Sequence, residues 1–389
     1  MKKIKLFTAL LAVVLVAGMT IFYACKKEDK INELPAKAAA PNPLETLYSQ
    51  LPTPDFGNIK LVNGDILQFE SVEHYEQVYE ALEAQCEAWM ALFLQKYDTG
   101  DEEALDAIIE QLKFDENLPL KKFEQKYKKT DNTLLWSLSQ KEETWLERGG
   151  EGGVPEDEIT PCPIELALLS KYHEYCIGNT ICQWRPNSCE LHIPTSKTSM
   201  LNQIRNTSVE DLLSYSKEVP NPSGPVYIPE PFNITVYPPK NPDTGGGSDC
   251  GCDFCYCTEY KKSFTKLNGT DHKFTLSYHF RHDFYKGKAK TTVTSKNYKL
   301  KKGSWKNDYS SYCRLGFSTK LYQNPSITQC IDKGRDGKTS NLAQAFSKSK
   351  RKTFNFDYKT VTDQIFESYV TYRHKGVEFK FNPRGEVVP

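Results

Sequence analysis

The sequence predicts an α+β, multidomain protein with an acidic helical N-terminal region, a Cys-rich middle and an antiparallel β-sandwich-like C-terminal domain. Apolar residues recur at spacings of three and four in the N-terminal half, which is the helical period, and at every second residue in the C-terminal half, which is the strand period. Charge changes sign along the same line: residues 45–158 carry 26 acidic and 10 basic residues, and residues 258–389 carry 11 acidic and 27 basic residues. The 389 residues are enough for about two domains with sizeable cores.

The equal totals of 50 basic and 50 acidic residues conceal a bipolar chain, with a net charge of −16 in residues 45–158 and +16 in residues 258–389. A neutral total argues against a polyanion binder only where charges of both signs are mixed along the chain. That exclusion therefore does not apply to the C-terminal region.

The chain begins with the pattern of an export signal. Three lysines in the first five residues precede an apolar run from Leu6 to Ala24, which stands directly before Cys25. We expect residues 1–24 to be a lipoprotein signal peptide and residues 25–60 to be a lipid-anchored tether. The alternative is an uncleaved anchor, because 19 apolar residues nearly span a bilayer. In both cases the rest of the chain is expected outside the cytoplasm.

The Ala24-Cys25 junction resembles the lipobox of bacterial lipoproteins, and the charged run at 26–30 resembles the export signal of surface lipoproteins in Bacteroidota. The resemblance implies that Cys25 is diacylated on sulfur and becomes the first residue of the mature chain. It also implies an outer-membrane location in the cell envelope, surface exposure, and the membrane as a partner through the lipid. A solvated tether is the alternative interpretation of the charged run, and the prolines in 31–54 predict an extended spacer.

Residues 61–150 are predicted to form an acidic helical domain. From Phe69 to Tyr97 the apolar side chains follow one helical face, and Ser71 has the chemistry of an N-cap. Cys86 lies on that face, so we expect it to be a buried thiol.

Three further helices are predicted in the same domain. One begins after Asp101, a second has Pro119 in its first turn, and a third covers residues 134–148 and stops at a pair of glycines.

The segments ILQFESVEHYEQVYEAL (66–82) and IIEQLKFDENLPLKKFEQKY (108–127) resemble uncharacterised cell-envelope lipoproteins of Bacteroidota. The segment NYKLKKGSWK (297–306) is similar to a basic C-terminal part found in some of them. These motifs are packing patterns. The resemblance therefore implies location and architecture and brings no catalytic residues with it.

Ten cysteines are predicted to form disulfides, since an even number of thiols in an exported chain is typical of a disulfide framework. Four belong to a Cys-rich helical segment, residues 151–219. A straight helix over 164–175 would hold its two flanking cysteines about 21 Å apart, so that pair is excluded. The candidates are Cys162, Cys176, Cys182, Cys189, Cys250, Cys252, Cys255, Cys257, Cys313 and Cys330, the last two forming a natural pair across a loop.

The four cysteines within residues 250–257 also permit a zinc site, with His272, His279 and His282 downstream. His173 and Cys176 on one helical face form a second arrangement of that kind. We favour disulfides, because the compartment is oxidising and no standard CxxC…CxxC spacing occurs. No metal site and no cofactor are predicted.

Residues 220–249 are predicted to be a Pro/Gly-rich linker, because eight of the 22 prolines and a Gly triplet fall there. Residues 250–389 are predicted to be a basic all-β domain. Aromatic and polar residues alternate from Lys273 to Arg281, and six or more such runs with no strong helix favour a sandwich.

The basic side chains of this domain are candidates for binding a polyanion, because basic, aromatic β-domains suit acidic glycans and phosphates. The alternatives are a solvated face, protected edge strands, or a face that docks on the acidic half of the same chain. Specific nucleic-acid recognition is not expected. The candidates are Lys286, Lys288, Lys290, Lys299, Lys301, Lys302, Lys350, Arg351 and Lys352.

Catalytic signatures such as GxSxG, HExxH and GxxxxGK[ST] do not occur in the sequence. We therefore expect a non-catalytic exported lipoprotein that acts as a binding or interaction module for an acidic glycan or a protein partner. The alternative is an exported hydrolase that acts on envelope or host polymers, since catalytic constellations form in space.

Overall fold

The computed structural model describes residues 42–98, 100–127, 133–149, 162–185, 189–216, 225–237, 259–283, 285–286, 288–308, 312–323, 334–339, 343–346, 349–357, 363–374 and 377–381. Residues 1–46 and residues 47–389 form two units. The predicted signal peptide, Cys25, the cysteine cluster at 250–257 and Cys330 lie outside the described residues.

The N-terminal part of the chain is helical, as predicted, and the protein belongs to the α+β class. A 3₁₀ helix, Thr195–Met200, precedes the last two helices. The helices are α1 Pro43–Tyr48, α2 Val72–Tyr97, α3 Glu102–Leu112, α4 Leu118–Tyr127, α5 Leu134–Glu147, α6 Pro163–Leu168, α7 Leu201–Asn206 and α8 Val209–Ser214.

Helix α2 has the N-cap and the buried apolar face that the sequence predicts. The Ser71 hydroxyl accepts a hydrogen bond from the backbone N–H of His74, which satisfies one of the unpaired donors at the helix start. Cys86 is only partly buried, which differs from the expected buried thiol. The buried side chains of α2 are Tyr75, Val78, Tyr79, Leu82, Trp89 and Phe93.

A seven-stranded mixed sheet, not anticipated from the sequence, forms the centre of the unit. Its strands run in the order β1-β2-β3-β4-β5-β7-β6, and the pair β2–β3 is parallel while the others are antiparallel. The strands are β1 Lys60–Val62, β2 Ile66–Phe69, β3 Glu174–Ile177, β4 Thr180–Arg185, β5 Cys189–Pro194, β6 Val226–Ile228 and β7 Ile234–Tyr237.

Alternate residues of this sheet enter two separate apolar clusters, one on each face. Leu67, Tyr175 and Trp184 belong to the cluster that includes side chains of α2, α4, α5 and α6. Ile66 and Ile181 belong to the cluster that includes side chains of α7 and α8. The sheet therefore has helices on both faces, and a residue's parity along a strand decides which layer it meets.

Three predicted segments differ from what the structure contains. The helix expected over 164–175 ends at Leu168, and β3 begins six residues later, after a turn in which His173 has a φ of 59°. The predicted tether contains α1, and the predicted linker 220–249 contains β6 and β7, whose alternate residues complete the sheet. The pair His173 and Cys176 therefore lies in a turn and a strand, not on one helical face.

The C-terminal part forms two five-stranded antiparallel sheets. One has the order β11-β10-β9-β8, with β15 also paired to β10, and the other has the order β13-β12-β16-β17, with β14 also paired to β12. Sandwich-like stacking of the two sheets stays a prediction. The strands are β8 Glu259–Asn268, β9 His272–Asp283, β10 Lys288–Lys301, β11 Ser304–Asn307, β12 Tyr312–Gln323, β13 Gly334–Thr339, β14 Ala343–Phe346, β15 Ser349–Asp357, β16 Asp363–His374 and β17 Val377–Phe381.

The four described cysteines of the middle region carry thiols, which differs from the disulfides expected there. The pleat of the sheet explains part of this. Cys182 lies opposite Tyr175, whereas Cys176 lies opposite Ile181, so the two cysteines point to different faces. Burial raises the pKa of both Cys176 and Cys189 to about 12, which leaves these thiols protonated and unreactive.

A buried ion pair joins the sheet to α7. Glu174, which is fully buried, accepts hydrogen bonds from Arg205 at 2.8 and 2.5 Å, from Ser170 at 2.8 Å and from Gln183 at 3.0 Å. Burial raises the pKa of Glu174, while its hydrogen bond to Arg205 opposes that change. The guanidinium also lies over the ring of Tyr172, 4.0 Å from its centroid.

Replacing Arg205 by Met should destabilise the protein by about 3–5 kcal/mol near pH 7, because Glu174 would stay buried without a counter-charge. The loss should shrink as the pH falls toward about 5. A carboxyl group whose pKa is higher in the folded than in the unfolded protein destabilises the folded state when it is ionised. Protonation at lower pH removes this destabilisation. Urea denaturation at the two pH values measures both effects. Arg148→Met at the exposed end of α5 is the control, and an equal loss in the two variants would contradict the prediction.

Candidate functional site

Two lysines of β10 that were candidates for polyanion binding contact the acidic helix α3. Lys299 and Lys301 both pair with the carboxylate of Asp106, the latter at 2.8 Å, and Lys301 also lies 3.1 Å from Glu110. Asp106 is buried, so the ammonium groups provide the charge that makes its burial tolerable. These two lysines contact the protein's own acidic half.

The neighbouring helix α5 makes the corresponding contact with the same strand. The Lys296 ammonium lies 3.3 Å from one carboxylate oxygen of Glu142, and the Tyr298 hydroxyl donates to the other oxygen at 3.3 Å. Lys273 on β9 lies 4.6 Å from the ring centroid of Trp145, which adds a cation–π contact to the same interface.

Lys286, a third polyanion candidate, lies in an aromatic cage on the central sheet. Its ammonium is 3.5 Å from the ring centroid of Tyr75, 4.9 Å from that of Tyr175 and 5.8 Å from that of Trp184. Aromatic faces attract cations because the ring quadrupole places negative charge above the plane. The turn before β10 is therefore held by the helical part, and Lys286 contributes to docking within the chain.

The remaining candidates divide between the two faces of their sheet. The register pairs Lys288 with Asp283 and Asp357, while Lys290 lies between Arg281 and Asn355. Lys302 is exposed in the turn between β10 and β11, where its φ is 50°. Strand parity places Lys288, Lys290 and Arg351 on one face, and Lys350 and Lys352 on the other.

The strand register thus places several basic residues on one face of the sheet, and we call Lys261, Arg281, Lys288, Lys290 and Arg351 the basic face. The same register places three acidic residues on this face, with Glu259 opposite Arg281 and with Asp283 and Asp357 opposite Lys288. It also places there His279, Ser263, Ser277, Thr292, Thr294 and Thr353.

A second cluster lies on the central sheet and was not anticipated from the sequence. Cys182 on β4 lies directly opposite His192 on β5, and Glu190 precedes His192 by two residues on the same face. One donor atom from each of the three residues lies within 4.8 Å of the other two. The Nε2 atom of His192 is 2.7 Å from Oε1 of Glu190.

Two tyrosines line this thiol–imidazole–carboxylate cluster. The His192 ring lies 4.4 Å from the ring of Tyr237 and 5.2 Å from that of Tyr285, and the backbone N–H of Tyr285 donates to Glu190 at 3.2 Å. Burial raises the pKa of the Tyr237 phenol, and the nearby Glu190 carboxylate raises it further. Burial likewise raises the pKa of Tyr285.

Sequence reasoning assigned Cys182 to a disulfide and did not single out Glu190 or His192. A usable signal was present. The Pro-Asn-Ser tripeptide at 186–188 is rich in turn-forming residues and stands between two short runs with apolar residues, which is typical of a hairpin. Folding the segment at that tripeptide brings Cys182 opposite His192.

Two other predictions concerned a zinc site that includes His272 and a membrane anchor. His272 lies 2.9 Å from Asp271 and 3.7 Å from Asp308, and the cysteine cluster that could have recruited it is outside the described residues. Among the helices that are described, none is long and apolar enough to cross a membrane.

The chain matches no known protein family. It is not significantly similar to any curated protein. Among solved structures, it is similar to the crystal structure of a DUF4848 family protein from Bacteroides thetaiotaomicron at 11% sequence identity, over 82% of this chain and 96% of that chain, with a TM-score of 0.16. A TM-score this low does not establish a common fold.

The contact between Asp106 and the lysines of β10 leads to a stability prediction. Asp106→Asn should destabilise the protein by about 3 kcal/mol, because it leaves the Lys299 ammonium in a mostly buried position with its main counter-charge removed. Urea denaturation at low salt measures the change. Glu103→Gln, an exposed position on the same helix, should stay within about 0.5 kcal/mol of the unaltered protein. If the two variants unfold at the same urea concentration, the interface contact contributes nothing.

Proposed function

We propose that this protein is a non-catalytic, exported lipoprotein of the cell envelope. It would be anchored to the outer membrane through lipid on Cys25, exposed at the cell surface, and act as a binding module for an acidic glycan or a protein partner. The export signal and the Ala24-Cys25 junction support the location. The basic face supports the binding role.

The strand register, which places five basic residues on one face of the sheet, is the observation that carries this proposal, because grouped bases suit sulfated or carboxylated sugars. Lys286, Lys299 and Lys301 are already held by aromatic rings or carboxylates of the same chain, so they are poor candidates for a ligand. Across the strands Arg351 lies opposite Thr294, and Lys290 lies between Arg281 and Asn355. A polyanion binding there would leave the internal ion pairs in place.

The alternative is an exported hydrolase acting on envelope or host polymers, and the observation that favours it is the Cys182–His192–Glu190 cluster. A thiol, an imidazole and a carboxylate are the groups of a thiol hydrolase. Against this, Cys182 is fully buried, whereas a nucleophile must reach its substrate.

The triple variant R281Q/K290Q/R351Q should lose retention on heparin at low salt. Each charge that pairs with the polymer contributes to a salt-dependent affinity, and removing three should lower the affinity by about tenfold or more. Salt-gradient elution of the full chain from immobilised heparin measures this.

The matched control is K60Q/K96Q/K306Q, which removes the same charge at exposed positions away from the basic face. Equal losses in the two variants would mean that only total charge matters. If the unaltered chain does not bind heparin, an acidic glycan is excluded as the ligand, and a protein partner remains as the proposed ligand.

Lipidation should depend on Cys25 alone. Cells expressing the chain and fed labelled palmitate should incorporate label into it, and Cys25→Ala should abolish the label, because the thiol accepts the diacylglyceryl group. Cys86→Ala should keep the label. Label that persists in Cys25→Ala, or an unlabelled parent chain, would exclude the lipid anchor.

A further inference from the structure

We infer that Cys182, Glu190 and His192 form a binding site for a divalent transition-metal ion of the zinc class. The inference does not rest on the proposed binding of a polyanion, because the two sites lie on different sheets. It follows from the placement of three ligand types by one hairpin.

The hairpin of β4 and β5 is the element that assembles the site. Residues directly opposite each other in an antiparallel pair hold their Cβ atoms about 4.5–5.5 Å apart, and Cys182 and His192 are such a pair. Glu190 lies on the same face, one pleat repeat away. Because the three residues are fixed by strand register rather than by a loop, the site is preorganised.

The donor distances are close to those of a tetrahedral metal centre. Zinc bonds of about 2.0–2.3 Å to sulfur, nitrogen and oxygen place neighbouring donor atoms about 3–4 Å apart. The donor atoms of the cluster lie within 4.8 Å of one another, and the closest pair, His192 Nε2 and Glu190 Oε1, is 2.7 Å apart. A small side-chain rotation that separates this pair admits an ion in place of the hydrogen bond.

The ligand chemistry selects the class of metal. Thiolate and imidazole prefer zinc and its neighbours, whereas calcium and magnesium prefer oxygen ligands alone. Three protein ligands leave a fourth position open, as in zinc sites that bind water or a small molecule. The side chain of His192 is 13% exposed and that of Glu190 is 3% exposed, so the open position lies toward the His192 side.

The surroundings of the cluster support an ion. The backbone N–H of Tyr285 orients the Glu190 carboxylate, and the rings of Tyr237 and Tyr285 flank the imidazole on two sides. Outer contacts of this kind fix metal ligands in their binding orientation.

Cobalt(II) provides the direct test, because a thiolate ligand gives it a charge-transfer absorption band. The full chain is used with Cys250, Cys252, Cys255 and Cys257 replaced by Ser, since those four thiols form a separate potential metal site. The reduced, metal-free protein should bind one equivalent of Co²⁺ with the thiolate band, and Zn²⁺ should displace it. The affinity for Co²⁺ should decrease as the pH is lowered, because the Cys182 thiol must lose its proton to bind the metal.

Cys182→Ala in that background should abolish the band, and His192→Ala or Glu190→Gln should weaken binding by about tenfold or more. Cys189→Ala is the matched control, because that buried thiol belongs to the cluster on the opposite face and should leave the band unchanged. Absence of a band in the parent protein, or a band that survives Cys182→Ala, would overturn the inference.

A second measurement covers the case in which Cys182→Ala fails to fold. Because Cys182 is fully buried, iodoacetamide reaches it only when the hairpin opens, so its modification is followed by peptide mass spectrometry in the Ser-substituted parent in mild urea, with and without Zn²⁺. Protection by Zn²⁺ supports the site, since a coordinated thiolate is withheld from the reagent. Equal modification with and without Zn²⁺ overturns it.

Discussion

The docking of strand β10 and its preceding turn onto the helical part is the interaction on which the rest of this unit depends. Lys299 and Lys301 meet Asp106, Lys296 meets Glu142, and Lys286 enters the aromatic cage of the central sheet. The opposite net charges of the two halves are thus partly neutralised inside the chain. Removing one partner of a buried ion pair costs more than the pair contributes, so this interface tolerates loss of a partner poorly.

The central sheet imposes the second constraint. Alternate residues along its strands point to opposite faces, and the two faces pack against different helices. Even a small shift in register would exchange the contents of those layers. Cys176 and Cys189 enter the apolar cluster under α7 and α8, whereas Cys182 lies on the face that carries Glu190 and His192. The turn at Tyr285 closes that second face, so the docking of the C-terminal sheet also completes the surroundings of the thiol–imidazole–carboxylate cluster.

Local features were predictable from the sequence and long-range ones were not. The cap at Ser71 and the apolar face of α2 follow from neighbouring residues, and so do the alternating strands of the C-terminal part. The parallel pair β2–β3 joins segments more than 100 residues apart, which no local period records. The helix expected over 164–175 failed for a tertiary reason: Glu174 is held in a strand by Ser170, Gln183 and Arg205, which outweighs its local helical pattern.

The internal contacts also determine where a charged ligand could act. If a polymer bound Lys299 or Lys296, that lysine would leave Asp106 or Glu142 buried without its counter-charge. This cost opposes polymer binding at that end of β10. On the opposite half of the same strand the register places Lys290 between Arg281 and Asn355, and Lys288 between Asp283 and Asp357. One end of β10 therefore joins the two oppositely charged halves of the chain, and the basic face, for which we propose ligand binding, extends toward the other end.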